Sequence, residues 1–325
     1  MPLVATGQRA EAVWVHASNF EDIDAQAAHF AGYGQHYEQL SAGPFRGSFR
    51  SYQFGQHVSL HLEVANRKLM QCASTPAGRC GISIVLPQSP SCTFNGHLVR
   101  DGDIIVYPAG TTVQGTTPEG MKLFCIDIDA QNVVGLGFET GPIRIAREAG
   151  PAGELHELIV SGVNAFARLG SPAEFGAATV DFCSTLSDLV WQLSNAGRPA
   201  SVRAGKQGRR LAFAVYHRAR EIVIERLEVG VSVAEVCRDI GVSRRSLECA
   251  FRTAVGMGPA QYVRTLQLNR VRRDLVLTEN ADSSIGVIAA RHGVWHWSRF
   301  SQSYRAMFGE LPRDTRMRAL AGRTV

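Results

Sequence analysis

The chain has 325 residues, a net charge of +5 and 45% hydrophobic residues, enough length for two cores and the composition of a soluble globular protein. No apolar run approaches the roughly 20 residues that cross a bilayer. The first residues, MPLVATGQRAEAVWV, lack a basic stretch leading into an apolar core, so a cytosolic chain with no membrane partner is expected.

Seven cysteines, at 72, 80, 92, 125, 183, 237 and 249, form no C-x-x-C pair. That pattern argues against a zinc ribbon or a disulfide framework and predicts reduced, buried thiols. The net charge conceals an asymmetry. From Arg203 to Val325 there are 22 Lys+Arg against 11 Asp+Glu, whereas Met1 to Val202 carries 12 against 18. Halves of opposite sign predict different partners. Lys206 is the one lysine among the 22 cations, so the C-terminal part uses the side chain that grips phosphate and guanine in a planar fork.

In chain order, residues from about 45 to 130 read as short strands punctuated by Gly, Pro and Asp-Gly. In VSLHLEVA, Val58, Leu60, Leu62 and Val64 alternate with Ser59, His61 and Glu63, and His57 precedes them in phase, as in a half-buried strand. CGISIVLPQ, GDIIVYPAG and MKLFCIDID are similar runs, and regular short strands of this kind predict a sandwich or small barrel. Tyr52, Phe54, His57, His61, Ile82 and Ile84 are the candidate effector-pocket positions, with the strand face that forms the pocket left open. His57, His61 and Glu63 share one face and suit either a metal site or a polar face; no metal-binding motif surrounds them, and no metal or cofactor is expected. From about 153 to 195 the periodicity becomes helical, with Leu186, Leu189, Val190 and Leu193 on one stripe. That stripe fits a helix pair packed on its own sheet and a dimerisation element equally.

NAGRPASVRAGKQGRR has no apolar periodicity, and the linker is placed at residues 196–209 between an N-terminal domain (1–195) and a C-terminal one (210–325). RRLAFAVYHRAREIVIERL then predicts a first helix with Leu211, Ala214, Val215, Ala219 and Ile222 inward. Beyond it the chain repeats itself. VAEVCRDIGV (233–242) matches IGVIAARHGV (285–294) at an offset of 52, pairing Gly241 with Gly293. Past that glycine the offset is 53: Leu247 meets Phe300, Phe251 meets Tyr304, Gly256 meets Gly309 and Pro259 meets Pro312. Each copy reads as a short helix, a turn at glycine and a longer helix closed by a second glycine, which is a helix-turn-helix. Ser232 and Glu235 form a predicted capping box, and Ser243 a predicted N-cap.

With Leu247 and Phe251 inward, Arg244, Arg245, Glu248, Cys249 and Arg252 point outward. With Phe300, Tyr304 and Phe308 inward, Trp297, Ser298, Ser301, Gln302 and Arg305 point outward, flanked by His296 and Arg299. A recognition helix has this construction, with N-terminal side chains that reach base edges in the major groove. The joining segment, residues 259–278, predicts a 20-residue helix about 30 Å long, close to the roughly 34 Å of one DNA turn. Arg264, Arg270, Arg272 and Arg273 on it are candidates for phosphate contact or for plain solvated surface.

DIGVSRRSLECAFRTAVGMGPAQYVRTLQLNRVRRDL and IAARHGVWHWSRFSQSYRAMFGELP resemble the two helix-turn-helix motifs and connecting helix of the AraC/XylS family of transcription regulators, over roughly residues 208–320. The resemblance implies base contacts at Arg245, Glu248 and Cys249 in the first motif and at Trp297, Ser298 and Gln302 in the second. Val294, Trp295 and Trp297 depart from the family pattern, and Trp297 is expected on a thymine methyl or the sugar backbone. The family also implies an α+β chain, with a cupin-like β-sandwich or barrel carrying packed helices before the all-α DNA-binding domain. Its implied partners are promoter DNA, a small-molecule effector, RNA polymerase and a second copy of the chain.

The readings that stand are an effector-responsive activator, a constitutive DNA-binding protein whose first domain oligomerises, and a metal-dependent cupin enzyme fused to a DNA-binding tail. His156-Glu157 lacks the second histidine of a zinc protease helix, Gly135-Leu-Gly137 lacks the third glycine of a dinucleotide loop, and neither G-x-S-x-G nor a P-loop occurs, so no enzyme activity is expected. Because arginines on DNA displace condensed counterions, binding to a duplex should fall steeply and linearly on a log–log plot between 50 and 200 mM salt. A flat titration in fluorescence anisotropy would remove the electrostatic basis of DNA binding.

Overall fold

The computed structural model describes residues 14–30, 32–54, 58–86, 91–100, 103–129, 142–146, 207–277, 282–295 and 297–321, with 153–155, 157, 158, 161, 182, 185 and 186 between them. The strand-rich part is a two-sheet antiparallel sandwich. One sheet has the order β1-β3-β4-β11-β6-β9-β12 and the other β2-β5-β10-β7-β8. In the first are β1 (Trp14–Phe20), β3 (Gly47–Phe54), β4 (Val58–Ala65), β6 (Arg79–Val85), β9 (Ile104–Tyr107), β11 (Met121–Asp129) and β12 (Arg144–Ala146). The second holds β2 (His36–Gln39), β5 (Leu69–Ser74), β7 (Cys92–Phe94), β8 (His97–Val99) and β10 (Thr112–Thr117). A short helix, α1 (Ile23–His29), capped by the Asp22 carboxylate, follows β1.

The sandwich starts earlier and ends later than the predicted span of 45–130. β1, β2 and β12 lie at sheet edges, where one side of the strand has no neighbour to enforce alternation; HYEQ in β2 and WVHASNF in β1 therefore carry no clean period-2 pattern. β4 departs from its half-buried reading. Ser59 and Glu63 on its polar face are buried along with Leu60, because that face turns into the sandwich, where Glu63 is bonded by side chains of β2 and β5.

Val85, Phe94, Val99, Ile105, Tyr107, Met121 and Leu123 fill one end of the sandwich. Ile23, Tyr37, Phe45 and Leu69 fill the other, beneath α1. Of the predicted helix pair at 153–195 the described residues are helical, with Leu155, Phe182 and Leu186 buried; the rest of that pair lies outside the described residues.

From Gln207 the described residues form seven helices: α2 (Gln207–Glu225), α3 (Val233–Ile240), α4 (Arg244–Val255), α5 (Pro259–Val276), α6 (Ile285–Arg291), α7 (Trp297–Phe308) and α8 (Pro312–Ala321). The inward stripe of α2 is Tyr216, Ala219, Ile222 and Val223, while Leu211 is 67% exposed and Ala214 is also outside. Residues 216, 219 and 223 recur at the i, i+3, i+7 spacing, so Tyr216 sets the helix register in place of Leu211. α5 ends at Val276, two residues short of the predicted rod.

Gly115 of β10 has no side chain because the Phe94 ring occupies the space: a Cβ there would lie 2.2 Å from two ring carbons. Gly115→Ala should therefore displace Phe94 and destabilise the protein by about 1–3 kcal/mol. Urea denaturation followed by circular dichroism checks this; an unchanged midpoint would show that Phe94 has room to move.

Candidate nucleic-acid interface and the clamp behind it

Both halves of the repeat adopt matching geometry. Gly241, Gly256, Gly293 and Gly309 all have left-handed backbone, with φ of 69°, 79°, 74° and 80°, a conformation that strains any residue with a Cβ. Ser232 and Glu235 form the reciprocal capping box at α3, and Ser243 caps α4 by accepting from Ser246 N–H. Ser284 caps α6 in the same way from Val287 N–H. Pro259 and Pro312 each open the helix after a recognition helix, where a missing N–H costs nothing.

The faces fall as the repeat requires. On α4, Leu247, Ala250, Phe251, Ala254 and Val255 are buried, and Arg244, Arg245, Cys249 and Arg252 are exposed. Glu248 is half-buried and lies 3.8 Å from the Arg252 guanidinium. Cys249 is thus a surface thiol, unlike the buried cysteines predicted from composition. On α7, Phe300, Tyr304, Met307 and Phe308 are buried, while Arg299, Ser301, Gln302 and Arg305 face out. The side chains of Trp297 and Ser298, and the whole of His296, lie outside the described residues. Phe251, Tyr216 and Tyr262 pack ring to ring behind the first recognition helix, and Phe300, Tyr304 and Phe308 behind the second. Trp295, 67% exposed, rims an open groove of about 680 Å³ with Arg264 and Arg299.

The long helix α5 does not present all its arginines to solvent. Arg264 is exposed, but Arg272 is buried, ion-paired to Asp22 at 3.1 Å and Glu310 at 2.6 Å, and lies over the Phe308 ring. Arg273 donates to Asp24 at 2.7 and 2.9 Å and to the Tyr37 carbonyl. Arg270 is half-buried. The reading of Arg272 and Arg273 as phosphate contacts is corrected: their partners are acids of the N-terminal domain and of the turn between α7 and α8, so part of the charge asymmetry closes on itself.

β2 is the centre of this contact. Glu38, fully buried, accepts from Arg220 Nη2 at 2.5 Å and from Tyr262 O–H at 2.7 Å. Burial alone raises the Glu38 carboxyl, but the Arg220 charge and these hydrogen bonds outweigh it and hold it below the usual carboxylate range. His36 is pushed down to about 4 by burial and by Arg273; its 3.9 Å approach to Glu38 is therefore no ion pair at neutral pH. Next in line, Gln39 N–H donates to Asn269 Oδ1 and its side chain to the Met307 carbonyl. Asn269 returns a bond to the Gln39 carbonyl at 3.0 Å. Lys68 Nζ and Thr116 Oγ1 donate to the carbonyls of Val255 and Ala254 at the end of α4, and Leu40 and Met70 join the apolar core of the first helix-turn-helix.

Inside the sandwich is a cavity of about 70 Å³, several times the roughly 10–15 Å³ that one water requires. Tyr33, Tyr37, Glu63, Phe94, Tyr107 and Cys125 are among its walls. Of the six positions proposed from sequence, Ile82 lines it. Ile84 and Tyr52 are buried but are not among its lining residues. His61 stands one layer behind the wall, its ring 4.5 Å from that of Phe30. His57 and the Phe54 side chain lie outside the described residues. Tyr37 and Gln71 were missed because they and Glu63 belong to three different strands, and only strand pairing brings them together. No group of three or more metal-ligating side chains occurs among the described residues.

Two tandem helix-turn-helix units joined by one helix and attached to a sandwich with an internal cavity define a DNA-binding protein with a separate second domain. Residues 236–318 match the family model described as "Helix-turn-helix domain". The chain is 34% identical over 123 residues to "Regulatory protein HrpB" of Ralstonia nicotianae, covering 38% of this chain and 26% of that one. It is 32% identical over 100 residues to "XylDLEGF operon transcriptional activator 2" of Pseudomonas putida, covering 31% and 64%. Among solved structures it is similar to the AraC-like transcriptional activator CuxR, at 15% identity and a TM-score of 0.43, over 78% of this chain and 94% of that one. The chain thus spans about a quarter of the first relative and under two thirds of the second. Over residues 236–318 it carries a helix-turn-helix domain of the AraC/XylS type.

Removing one partner of a buried ion pair strands the other. Glu38→Ala should lower stability by about 3–5 kcal/mol and expose the face of α5 to hydrogen exchange. In the parent chain, the depressed Glu38 carboxyl contributes stability above the ordinary carboxylate range and loses it as pH falls through that lowered value. Hydrogen exchange of α5 as a function of pH checks both; protection of α5 that is the same in Glu38→Ala and parent would show that the clamp is not held by this pair.

Proposed function

We propose that the protein is a transcription activator that binds promoter DNA through both recognition helices and responds to a small molecule held in the sandwich. The observation that carries this reading is the duplicated unit with its matched left-handed glycines, each copy keeping aromatics behind a helix whose free face carries arginines, amides and hydroxyls. In the first unit Arg244, Arg245, Glu248, Cys249 and Arg252 face the duplex. Arg245 is the residue suited to a bidentate contact with guanine, and Cys249, with little hydrogen-bonding capacity, is suited to an apolar contact. In the second, Ser298, Ser301 and Gln302 read base edges, Trp297 packs on a methyl or sugar, and His296, Arg299 and Arg305 lie against phosphates. An 18-residue α5 spans about 27 Å, and the connections at its ends make up the rest of a helical turn.

Similarity over these helices to proteins named as operon activators supports an activating role through RNA polymerase, in the cytoplasm where promoters are. The effector reading rests on the cavity and on β2, whose Tyr37 lines it while the adjoining Glu38 and Gln39 bond the DNA-binding helices. Arg245→Ala should cost about 1–3 kcal/mol on the specific site and relax preference at one base position. Selection from a random duplex pool, followed by competition with nonspecific DNA, tests it; an equal loss on both would assign Arg245 to phosphate.

A further inference from the structure

The cavity walls carry an uneven set of polar groups. Glu63 is 2% exposed, and three donors converge on one of its two oxygens: Gln26 Nε2 at 3.0 Å, Tyr37 O–H at 2.7 Å and Gln71 Nε2 at 3.3 Å all reach Oε1. Oε2 receives none of these bonds, and the residue borders the cavity. The two phenol donors nearest the carboxylates are already engaged. Tyr33 O–H donates to Asp127, which is also paired with Arg79, and Tyr37 O–H is spent on Glu63.

What these residues leave available is ring surface. Phe30, Tyr33, Tyr37, Phe94 and Tyr107 all border the space, with Phe30 stacked on Tyr33 at 4.2 Å and Phe94 edge-on to Tyr107 at 6.4 Å. None of the described lining residues is Lys, Arg or His. An anion would meet a carboxylate and ring faces, and a neutral hydroxyl would leave the carboxylate uncompensated. A cation is matched twice, by the carboxylate oxygen that takes no hydrogen bond from the described residues and by the negative faces of the rings.

We infer that the cavity is a receptor site for a small organic ammonium ion, whose N–H donates to Glu63 Oε2 while its carbons and positive charge lie against the aromatic walls. This rests on the reading of the sandwich as the effector domain, and it adds the chemical class of the effector. Glu63 acts as the ion's counter-charge, and Gln26, Tyr37 and Gln71 act as positioning residues that hold the carboxylate's other oxygen.

The test uses the full-length chain and three probes of matched size: n-propylammonium, 1-propanol and propionate, each titrated by calorimetry. The ammonium is expected to bind at least ten-fold more tightly than either of the others, and Glu63→Gln, which keeps the shape and the three inward hydrogen bonds, to abolish that preference. Phe94→Leu, which removes a ring while retaining the carboxylate, is expected to weaken the ammonium several-fold and leave propanol unchanged; it decides the matter if Glu63→Gln fails to fold. Equal binding of the three probes, preference for propionate, absence of binding, or an undiminished preference in Glu63→Gln each overturns the proposal. Duplex binding measured in parallel separates the two readings. A chain that binds DNA and ignores the ammonium defeats the ligand assignment alone, and one that binds the ammonium with unchanged DNA affinity keeps the site and defeats its role as an effector switch.

Discussion

The buried pair of Glu38 and Arg220 is the constraint on which the arrangement of the two halves depends. Burying two charges costs several kcal/mol each before their attraction offsets it, and the structure meets that demand with a third partner, the Tyr262 hydroxyl, on the other carboxylate oxygen. Arg220 lies on α2 and Tyr262 on α5, so one strand residue ties together the first helix of the DNA-binding part and the rod between its two units. The neighbouring bonds from Gln39 to Asn269 and Met307 are satisfied only in the same register. A sliding movement of the sandwich on α5 would break all of them together.

Each reading helix depends in turn on rings behind it. Tyr216, Phe251 and Tyr262 pack at centroid distances of 5.0–5.8 Å, and two of the three also border the Glu38 site. The surface that presents Arg245 and the core that receives Glu38 are therefore opposite sides of one small aromatic layer. In the second unit Arg272 connects the same way, stacked on Phe308 while paired with Asp22 of the N-terminal domain.

The DNA-binding half was legible in the sequence because its signals are local. A glycine at each turn, Ser232 with Glu235, Ser243, and the inward apolar stripe are short-range features, and a second copy at 52–53 residues repeats the glycines, the stripe and the serine that caps the first helix. Arg272 and Arg273 were misplaced because a helix pattern shows which residues share a face but not what covers it, and the covering acids, Asp22 and Asp24, are some 250 positions away. Leu211 misled for a related reason, as an apolar residue at the first turn of α2 with nothing packed over it. In the sandwich, alternation located β4 but not its inside: Glu63 looked like a solvent residue until Tyr37 and Gln71 from the facing sheet supplied its hydrogen bonds. The edge strands β1 and β2 had no periodic signal at all.

β2 is four residues long, and its successive side chains point to opposite sides, as the pleat demands. Tyr37 hangs into the cavity on Glu63, and Glu38, one peptide bond away, hangs on Arg220 and Tyr262. A rigid planar peptide joins the two, so a tilt that carries the phenol outward must swing the carboxylate the other way. The strand is built as a rocker arm, with its pivot in the hydrogen bonds to β5 and its two ends in separate interiors.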